Sequence, residues 1–178
     1  FTTGQVITPG EFVKALRDSR EDTSIRAVVM RVDSPGGSAL ASDAIWREVM
    51  LTQREKPVVV SMSDVAGSGG YYIAMGAGTI VAEPGTITGS IGVLGGKLNL
   101  QGLYNKVGLT KEIITRGKNA TLYSDYGDFT PTEWEKVQKM METVYQDFVS
   151  KASKGRRKTE AEIHEVAQGR IWTGRQAK

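Results

Sequence analysis

Two strand-like runs, each followed by a helix-like pattern, dominate the first half of the chain. A β-branched run from Ile25 to Val32 ends in a glycine-rich turn and precedes a helical pattern from about Ser38 to Arg54. A second apolar run, Pro57 to Met62, breaks into another glycine-rich turn before an apolar helix that starts at Ser68. Nearly continuous apolar runs are typical of parallel strands covered on both faces. The pattern therefore predicts two consecutive strand-turn-helix units.

The rest of the chain predicts further, mostly shorter elements. Capping residues followed by proline or glutamate predict a first helix at Thr8, a long helix at Thr130 and a last helix at Thr159 that Gly169 ends. The other predicted elements are a strand from Thr79 to Ala82, a glycine-rich loop with a short strand from Pro84 to Gly96, a short helix from Leu103 to Val107 and a strand from Lys111 to Thr115. Strands that alternate with helices predict an α/β fold with a mainly parallel sheet and flanking helices.

The composition is that of one globular domain and narrows the chemistry. The 178 residues include 23 basic and 20 acidic ones spread along the chain, so we expect no nucleic-acid partner. The chain has no cysteine, which excludes disulfides, thiolate nucleophiles and zinc-thiolate sites, and no metal or cofactor is expected. No apolar run approaches the roughly 18 residues needed to span a bilayer, so this piece itself is expected to be soluble.

The two ends of the sequence suggest a piece of a longer protein. It begins with Phe1 rather than methionine and stops at Lys178, just after a turn. We therefore expect residues 1–178 to be a single domain, with anchors or partner domains elsewhere.

The second glycine-rich turn, Ala66 to Gly70, carries the candidate chemistry. Ser68 lies between a buried strand and an apolar helix, where a hydroxyl can be held out on a tight turn as in a nucleophile elbow. The N–H of Gly69 and one from the first turn, Gly36-Gly37, could then face a developing oxyanion. Alternatively, the glycines allow close helix-sheet packing and Ser68 caps the helix. The residues alone leave both interpretations open, although a phosphate loop is disfavoured because no Lys-Ser or Lys-Thr pair follows the glycines.

Five segments, in order, resemble hallmark segments of the signal peptide peptidase A family. They are Arg31 to Ser38, Lys56 to Met62, Gly67 to Ile73, Thr88 to Val93 and Ala167 to Arg175. The resemblance implies a Clp-protease/crotonase-like fold and a Ser-Lys peptidase with Ser68 as nucleophile. It also implies Gly37 and Gly69 as oxyanion donors, with Gly36, Gly67 and Gly70 shaping the two turns.

The family uses a lysine as general base, and the position of that lysine in single-domain members is occupied here by Ala120. Lys118 lies two residues early, and Lys97 is a further candidate. Tandem members of the family carry the serine in the C-terminal half and the lysine in the N-terminal half. By this resemblance the chain is the C-terminal half and its lysine lies elsewhere. A surface or helix-cap role is expected for the single histidine, His164.

The resemblance implies a serine endopeptidase that hydrolyses cleaved signal peptides or other membrane-derived peptides. An alternative is a non-catalytic assembly or peptide-binding domain of the same fold, and a third hypothesis is a crotonase-type acyl-CoA enzyme. Related peptidases form rings, so we expect a homo-oligomeric ring, with the missing N-terminal half or a neighbouring subunit as partner. The resemblance also implies association with a membrane and a catalytic domain outside the cytoplasm.

Overall fold

The computed structural model describes residues 6–178, so the first five residues of the predicted domain lie outside the described part. Six helices and five strands form within the described residues. In chain order they are α1 (Pro9–Glu21), β1 (Val28–Ser34), α2 (Ala39–Glu55), β2 (Val58–Gly67), α3 (Gly69–Ala74), β3 (Thr79–Val81), β4 (Ile87–Gly89), α4 (Gln101–Lys106), α5 (Pro131–Arg156), α6 (Glu160–Val166) and β5 (Ile171–Thr173).

A single sheet is organised around β2. This strand pairs in parallel with β1 along most of its length, with β3 near its amino end and with β4 at its carboxyl end. The last strand, β5, pairs antiparallel with β4, which gives the order β1-β2-β4-β5 with β3 beside β2. The α/β fold with a mainly parallel sheet and flanking helices, predicted from the sequence, is confirmed.

The chain divides into two compact units. The first unit comprises the chain up to Gly92 together with residues 145–178, and the second comprises residues 93–144. One core cluster of the first unit packs inward side chains of β1 and β2 against α1, α2 and α3. A second cluster packs α3 against α6 and the final turns of α5, through buried residues that include Tyr72, Met75 and Phe148. The helix after β2 is therefore held by both clusters of its unit.

The second unit is built from loops, α4 and the first turns of α5. The Asp125 carboxylate accepts hydrogen bonds from the Tyr104 hydroxyl at 2.5 Å and the Lys111 ammonium at 2.5 Å. The side chain of Glu133 is fully buried and accepts hydrogen bonds from the Thr121 hydroxyl and the Thr130 N–H. These bonds, the largest contribution coming from Thr121, lower the pKa of Glu133. The long loop before α5 is thus held by polar contacts, of which those to Glu133 are buried.

Two features differ from the sequence predictions. The strand predicted from Lys111 to Thr115 is wrong: the segment has no regular secondary structure, its residues are exposed and no described strand pairs with it. A strand without a partner leaves its backbone groups to water, so the apolar residues there do not suffice to form one. Conversely, β5 was not predicted.

Within residues 6–178, no helix combines the length and apolar character needed to cross a membrane.

Candidate active site

Ser68 occupies a strained turn between β2 and α3. Its backbone has φ 51° and ψ −119°, a left-handed conformation that costs a non-glycine residue about 1–3 kcal/mol. Two hydrogen bonds hold the turn: the Ser68 N–H donates to the Gly89 carbonyl at 2.9 Å, and the Ser68 carbonyl accepts from the Tyr72 N–H at 2.8 Å. The side chain of Ser68 is half-buried. Neighbouring strands and helices therefore enforce a conformation that an isolated serine would leave.

The Gly36-Gly37 turn at the end of β1 lies directly against the Ser68 turn. A Cβ atom added to Gly36 would lie 2.7 Å from the Gly69 nitrogen and 2.8 Å from the Ser68 Cβ. A Cβ atom added to Gly69 would lie 3.2 Å from the Gly37 nitrogen. Gly36 also has φ +107°, which side-chain-bearing residues rarely adopt. The two turns that the sequence singled out thus meet at a distance that only glycine permits.

The other two glycines of the predicted site differ in how closely they are packed. A Cβ atom on Gly70 would collide with the Ser34 carbonyl, so the first turn of α3 rests against the end of β1. A Cβ atom on Gly67 would make an ordinary contact of 3.6 Å with the Ser90 Cβ. Close packing therefore demands glycine at position 70 more strictly than at position 67.

The backbone N–H groups of Gly37 and Gly69 are free to bind a ligand. Within residues 6–178 neither donates a hydrogen bond to the protein. For Gly69 this follows from its place in the first turn of α3, where N–H groups have no intrahelical acceptor. Two such donors beside a serine hydroxyl can stabilise a carbonyl oxygen as it becomes negatively charged during acyl transfer.

Two further serines border this site, and the sequence analysis gave neither a role. The buried Ser42 on α2 donates its hydroxyl to the Ser38 carbonyl at 3.0 Å, and its oxygen lies 2.5 Å from the place of a Cβ atom on Gly69. Ser90 has φ 51° like Ser68, and its N–H donates to the Arg170 carbonyl at 2.7 Å. The i, i+4 spacing of Ser38 and Ser42 could have placed Ser42 beside the first turn.

The candidate lysines from the sequence lie in the second unit, whereas Ser68 lies in the first. Lys118 is exposed and lies within a turn in which the Ala120 N–H donates to the Gly117 carbonyl at 3.3 Å. Lys97 is half-buried, donates to the Thr121 carbonyl at 3.4 Å and lies 4.6 Å from the centre of the Phe129 ring. The contacts of Lys118 and Lys97 within the second unit therefore do not mark either lysine as a general base.

The hydrogen bonds of the first unit's described residues do not identify a general base for Ser68. Among its described residues, no side chain forms a hydrogen bond with the Ser68 hydroxyl. Lys151 is a largely enclosed lysine of this unit, with 17% of its side chain exposed. Burial lowers its pKa, but hydrogen bonds to Asp147 and Asp43 outweigh that effect and raise the pKa above its ordinary value. A lysine base needs the opposite shift. His164 is exposed, and its Nδ1 lies 2.8 Å from the Tyr145 hydroxyl, in keeping with a surface role.

Comparison with known proteins supports the resemblance seen in the sequence. The chain is 47% identical over 177 residues to "Serine protease SPPA, chloroplastic" from Arabidopsis thaliana, a match that covers 99% of this chain and 26% of the relative. It is 37% identical over 164 residues to "Protease 4" from Salmonella typhi, covering 92% of this chain and 26% of the relative. The chain thus spans about a quarter of the length of these two relatives.

A solved structure shows the same fold. The ClpP1 protein of Listeria monocytogenes, in mutant form, superposes with a TM-score of 0.60 at 14% identity, covering 96% of this chain and 78% of that one. The predicted Clp-protease-like fold is therefore confirmed. The model of "Peptidase family S49" matches residues 50–178, which include the Ser68 turn and every later element. The chain belongs to peptidase family S49.

Proposed function

We propose that this chain is the serine-bearing domain of a longer serine endopeptidase, with Ser68 as the nucleophile. The observation that carries the proposal is the strained Ser68 turn pressed against the Gly36-Gly37 turn. In this mechanism the Ser68 Oγ attacks the peptide carbonyl carbon while a base takes the hydroxyl proton. The carbonyl oxygen becomes an oxyanion that accepts from the N–H groups of Gly37 and Gly69. The peptide amine then leaves with a proton, and water hydrolyses the acyl-enzyme.

The base is proposed to be a lysine outside the first unit. Two observations support this: no described side chain of the first unit forms a hydrogen bond with the Ser68 hydroxyl, and Ala120 stands at the position of the lysine in the family's single-domain members. Because the relatives are far longer than this chain, a lysine in another part of the intact protein, or in a neighbouring subunit, is the simplest source. Lys118 is the local rival. A peptide-binding domain without catalysis is the second candidate function, and the missing local base is the observation that favours it.

Resemblance to the signal peptide peptidase A family supports three further proposals, on substrates, assembly and location. We propose extended peptides as substrates, including cleaved signal peptides, and a homo-oligomeric ring as the working assembly. We also propose that the intact protein is membrane-associated, with this domain outside the cytoplasm.

The decisive experiment labels the intact protein with a fluorophosphonate and locates the modified serine by peptide mass mapping. Modification at Ser68 is expected, because a base-activated hydroxyl beside two N–H donors reacts faster than other serines. Ser68→Ala should abolish both labelling and peptide hydrolysis. Ser19→Ala is the matched control, since Ser19 is also half-buried but its hydroxyl donates to the Ala15 carbonyl on α1. Label on Ser90 or Ser34 with Ser68 unmodified would overturn the assignment, and absence of any reactive serine would favour the non-catalytic domain.

A further inference from the structure

A charged cluster joins three helices of the first unit around the Tyr72 hydroxyl. The Lys151 ammonium donates to the Asp43 carboxylate at 2.5 Å, to the Asp147 carboxylate at 2.6 Å and to the Tyr72 oxygen at 3.0 Å. The same hydroxyl lies 3.0 Å from an oxygen of each carboxylate. Asp43 belongs to α2, Tyr72 to α3, and Asp147 and Lys151 to α5. We call these four residues the Lys151 cluster.

The Lys151 cluster is packed tightly enough to fix distances between helices. Only 17% of the Lys151 side chain is exposed, and its ammonium lies 4.7 Å from the centre of the Trp46 ring. Tyr72 is 4% exposed, and its ring centre lies 4.6 Å from that of Phe148. Burial is the largest cause that raises the pKa of Tyr72, so its hydroxyl stays protonated and can donate to a carboxylate. One cation between two carboxylates holds α2 and α3 together against α5.

The same two helices begin at the two turns of the candidate site. The Tyr72 N–H donates to the Ser68 carbonyl, so Tyr72 is fixed to the turn that carries Ser68 and Gly69. On α2, the Ser38 hydroxyl accepts from the Ala41 N–H and caps the helix immediately after Gly37. Ser42, next to Asp43, touches the Gly69 position. The cluster lies less than two helical turns from the start of α2 and of α3. A change in the spacing of α2 and α3 at the cluster is therefore transmitted to the Gly36-Gly37 and Ser68 turns.

We propose that Lys151 and Tyr72 are positioning residues that set the spacing between the Gly37 and Gly69 N–H groups. This inference rests on the function proposed above. Neither side chain contacts the substrate in this scheme. Lys151 neutralises Asp43 and Asp147. Tyr72, through its hydrogen bonds to these charged groups, ties α3 to the ion pair.

Two substitutions test the two halves of the proposal. Lys151→Met keeps much of the side-chain volume but leaves two carboxylates without their cation, so they repel and α2 moves from α5. Tyr72→Phe removes only the hydroxyl and preserves the ring packing against Phe148. Because misplacement by about 1 Å can cost about 100-fold in rate, we expect kcat to fall about 10- to 100-fold in Lys151→Met and about 3- to 10-fold in Tyr72→Phe. KM should change less than about twofold, because the affected donors act on the transition state.

A matched control separates positioning from general loss of stability. Arg20 also has a side chain 17% exposed and contacts two carboxylates, Glu48 and Glu55, but it joins α1 to α2 and does not reach α3. Arg20→Met should lower the melting temperature without lowering kcat. The intact protein is used throughout, with kcat and KM measured on a fluorogenic peptide. We also measure affinity for a peptide aldehyde. Such a compound adds reversibly to a serine hydroxyl and places its oxygen between the oxyanion donors.

The expected pattern is a loss of aldehyde affinity that parallels the loss of kcat/KM in both cluster variants, with Arg20→Met unaffected. Lys151→Arg should recover part of the loss, because it restores the charge with altered geometry. If Tyr72→Phe and Lys151→Met keep the kcat and aldehyde affinity of the Arg20→Met control, the positioning role is wrong. If Lys151→Met does not fold, Tyr72→Phe alone decides the question. Failure of the proposed function can be told apart from failure of the positioning role. If Ser68 is not the nucleophile, fluorophosphonate does not label Ser68 even in the unsubstituted protein.

Discussion

Gly36→Ala is the sharpest perturbation of the candidate site, because it adds one methyl group between the two turns. The new Cβ would lie 2.7 Å from the Gly69 nitrogen, 2.8 Å from the Ser68 Cβ and 3.1 Å from the Ser68 hydroxyl oxygen. Since comfortable contacts begin at about 3.5 Å, the turns must separate by about 0.8 Å. The new methyl group would meet the Gly69 backbone nitrogen and the Ser68 Cβ, which is fixed to the backbone, so rotating a flexible side chain cannot relieve the collision.

The size of the effect follows from that displacement. A shift of this order moves the Gly69 N–H out of hydrogen-bonding range of an oxyanion, and loss of one such donor costs about 10²–10³ in kcat. We expect a loss of at least about 100-fold, which is about 2.7 kcal/mol of transition-state stabilisation. Strain at φ +107° adds a separate cost of about 1–3 kcal/mol to the free energy of folding.

The assay compares Gly36→Ala with Gly127→Ala in the intact protein. Gly127 also has a positive φ, +144°, but a Cβ atom there meets nothing within 4 Å. Both variants carry backbone strain and only Gly36→Ala carries the collision. Peptide turnover, fluorophosphonate labelling and thermal unfolding are measured for each. If Gly36→Ala turns over peptide within about threefold of Gly127→Ala, the Gly36-Gly37 turn takes no part in an oxyanion site.

Two further predictions concern the missing base. Lys118→Ala in the intact protein should lower kcat less than about tenfold, or about 1.4 kcal/mol, because an exposed ammonium is poorly suited to take a proton. A Lys118→Ala protein that binds peptide normally but shows no acyl-enzyme burst would make Lys118 the base. The isolated 178-residue chain, once circular dichroism shows it to be folded, should hydrolyse peptide several orders of magnitude more slowly than the intact protein. Equal rates would rule out an external lysine.

The sequence predicted the strand-turn-helix units because their signals are local. The run before Met62 and the glycines around Ser68 fall within one stretch of chain, so β2, α3 and the turn between them could be located. The contact between the Ser68 turn and Gly36 could be anticipated for a different reason, since the carboxyl ends of neighbouring parallel strands meet at one edge of a sheet.

The parts that the sequence did not predict depend on partners far along the chain. Strand β5 exists because Trp172 pairs with Thr88, and the three residues of β5 carry no strong strand signal by themselves. The segment beginning at Lys111 is the opposite case. Its composition suits a strand, but no described strand pairs with it. The Lys151 cluster could not be predicted either, because its members are distant in sequence. Asp43, Tyr72 and Lys151 lie in three separate helical patterns, and only the fold brings them together.

The pairing of β4 with β5 also determines when, during synthesis, the site can be completed. The Ser68 N–H is held by Gly89 at the end of β4, and the next residue, Ser90, is held by the Arg170 carbonyl. Arg170 leaves the ribosome about 100 residues after Ser68, on the order of 5–20 s later at usual rates of translation. Until then the hydrogen bond between Ser90 and Arg170 cannot exist, so a nascent chain carries the Ser68 hydroxyl without the full support of its turn. Under the proposed function, the candidate site of a growing chain therefore stays incomplete while the segments before Arg170 are still being made.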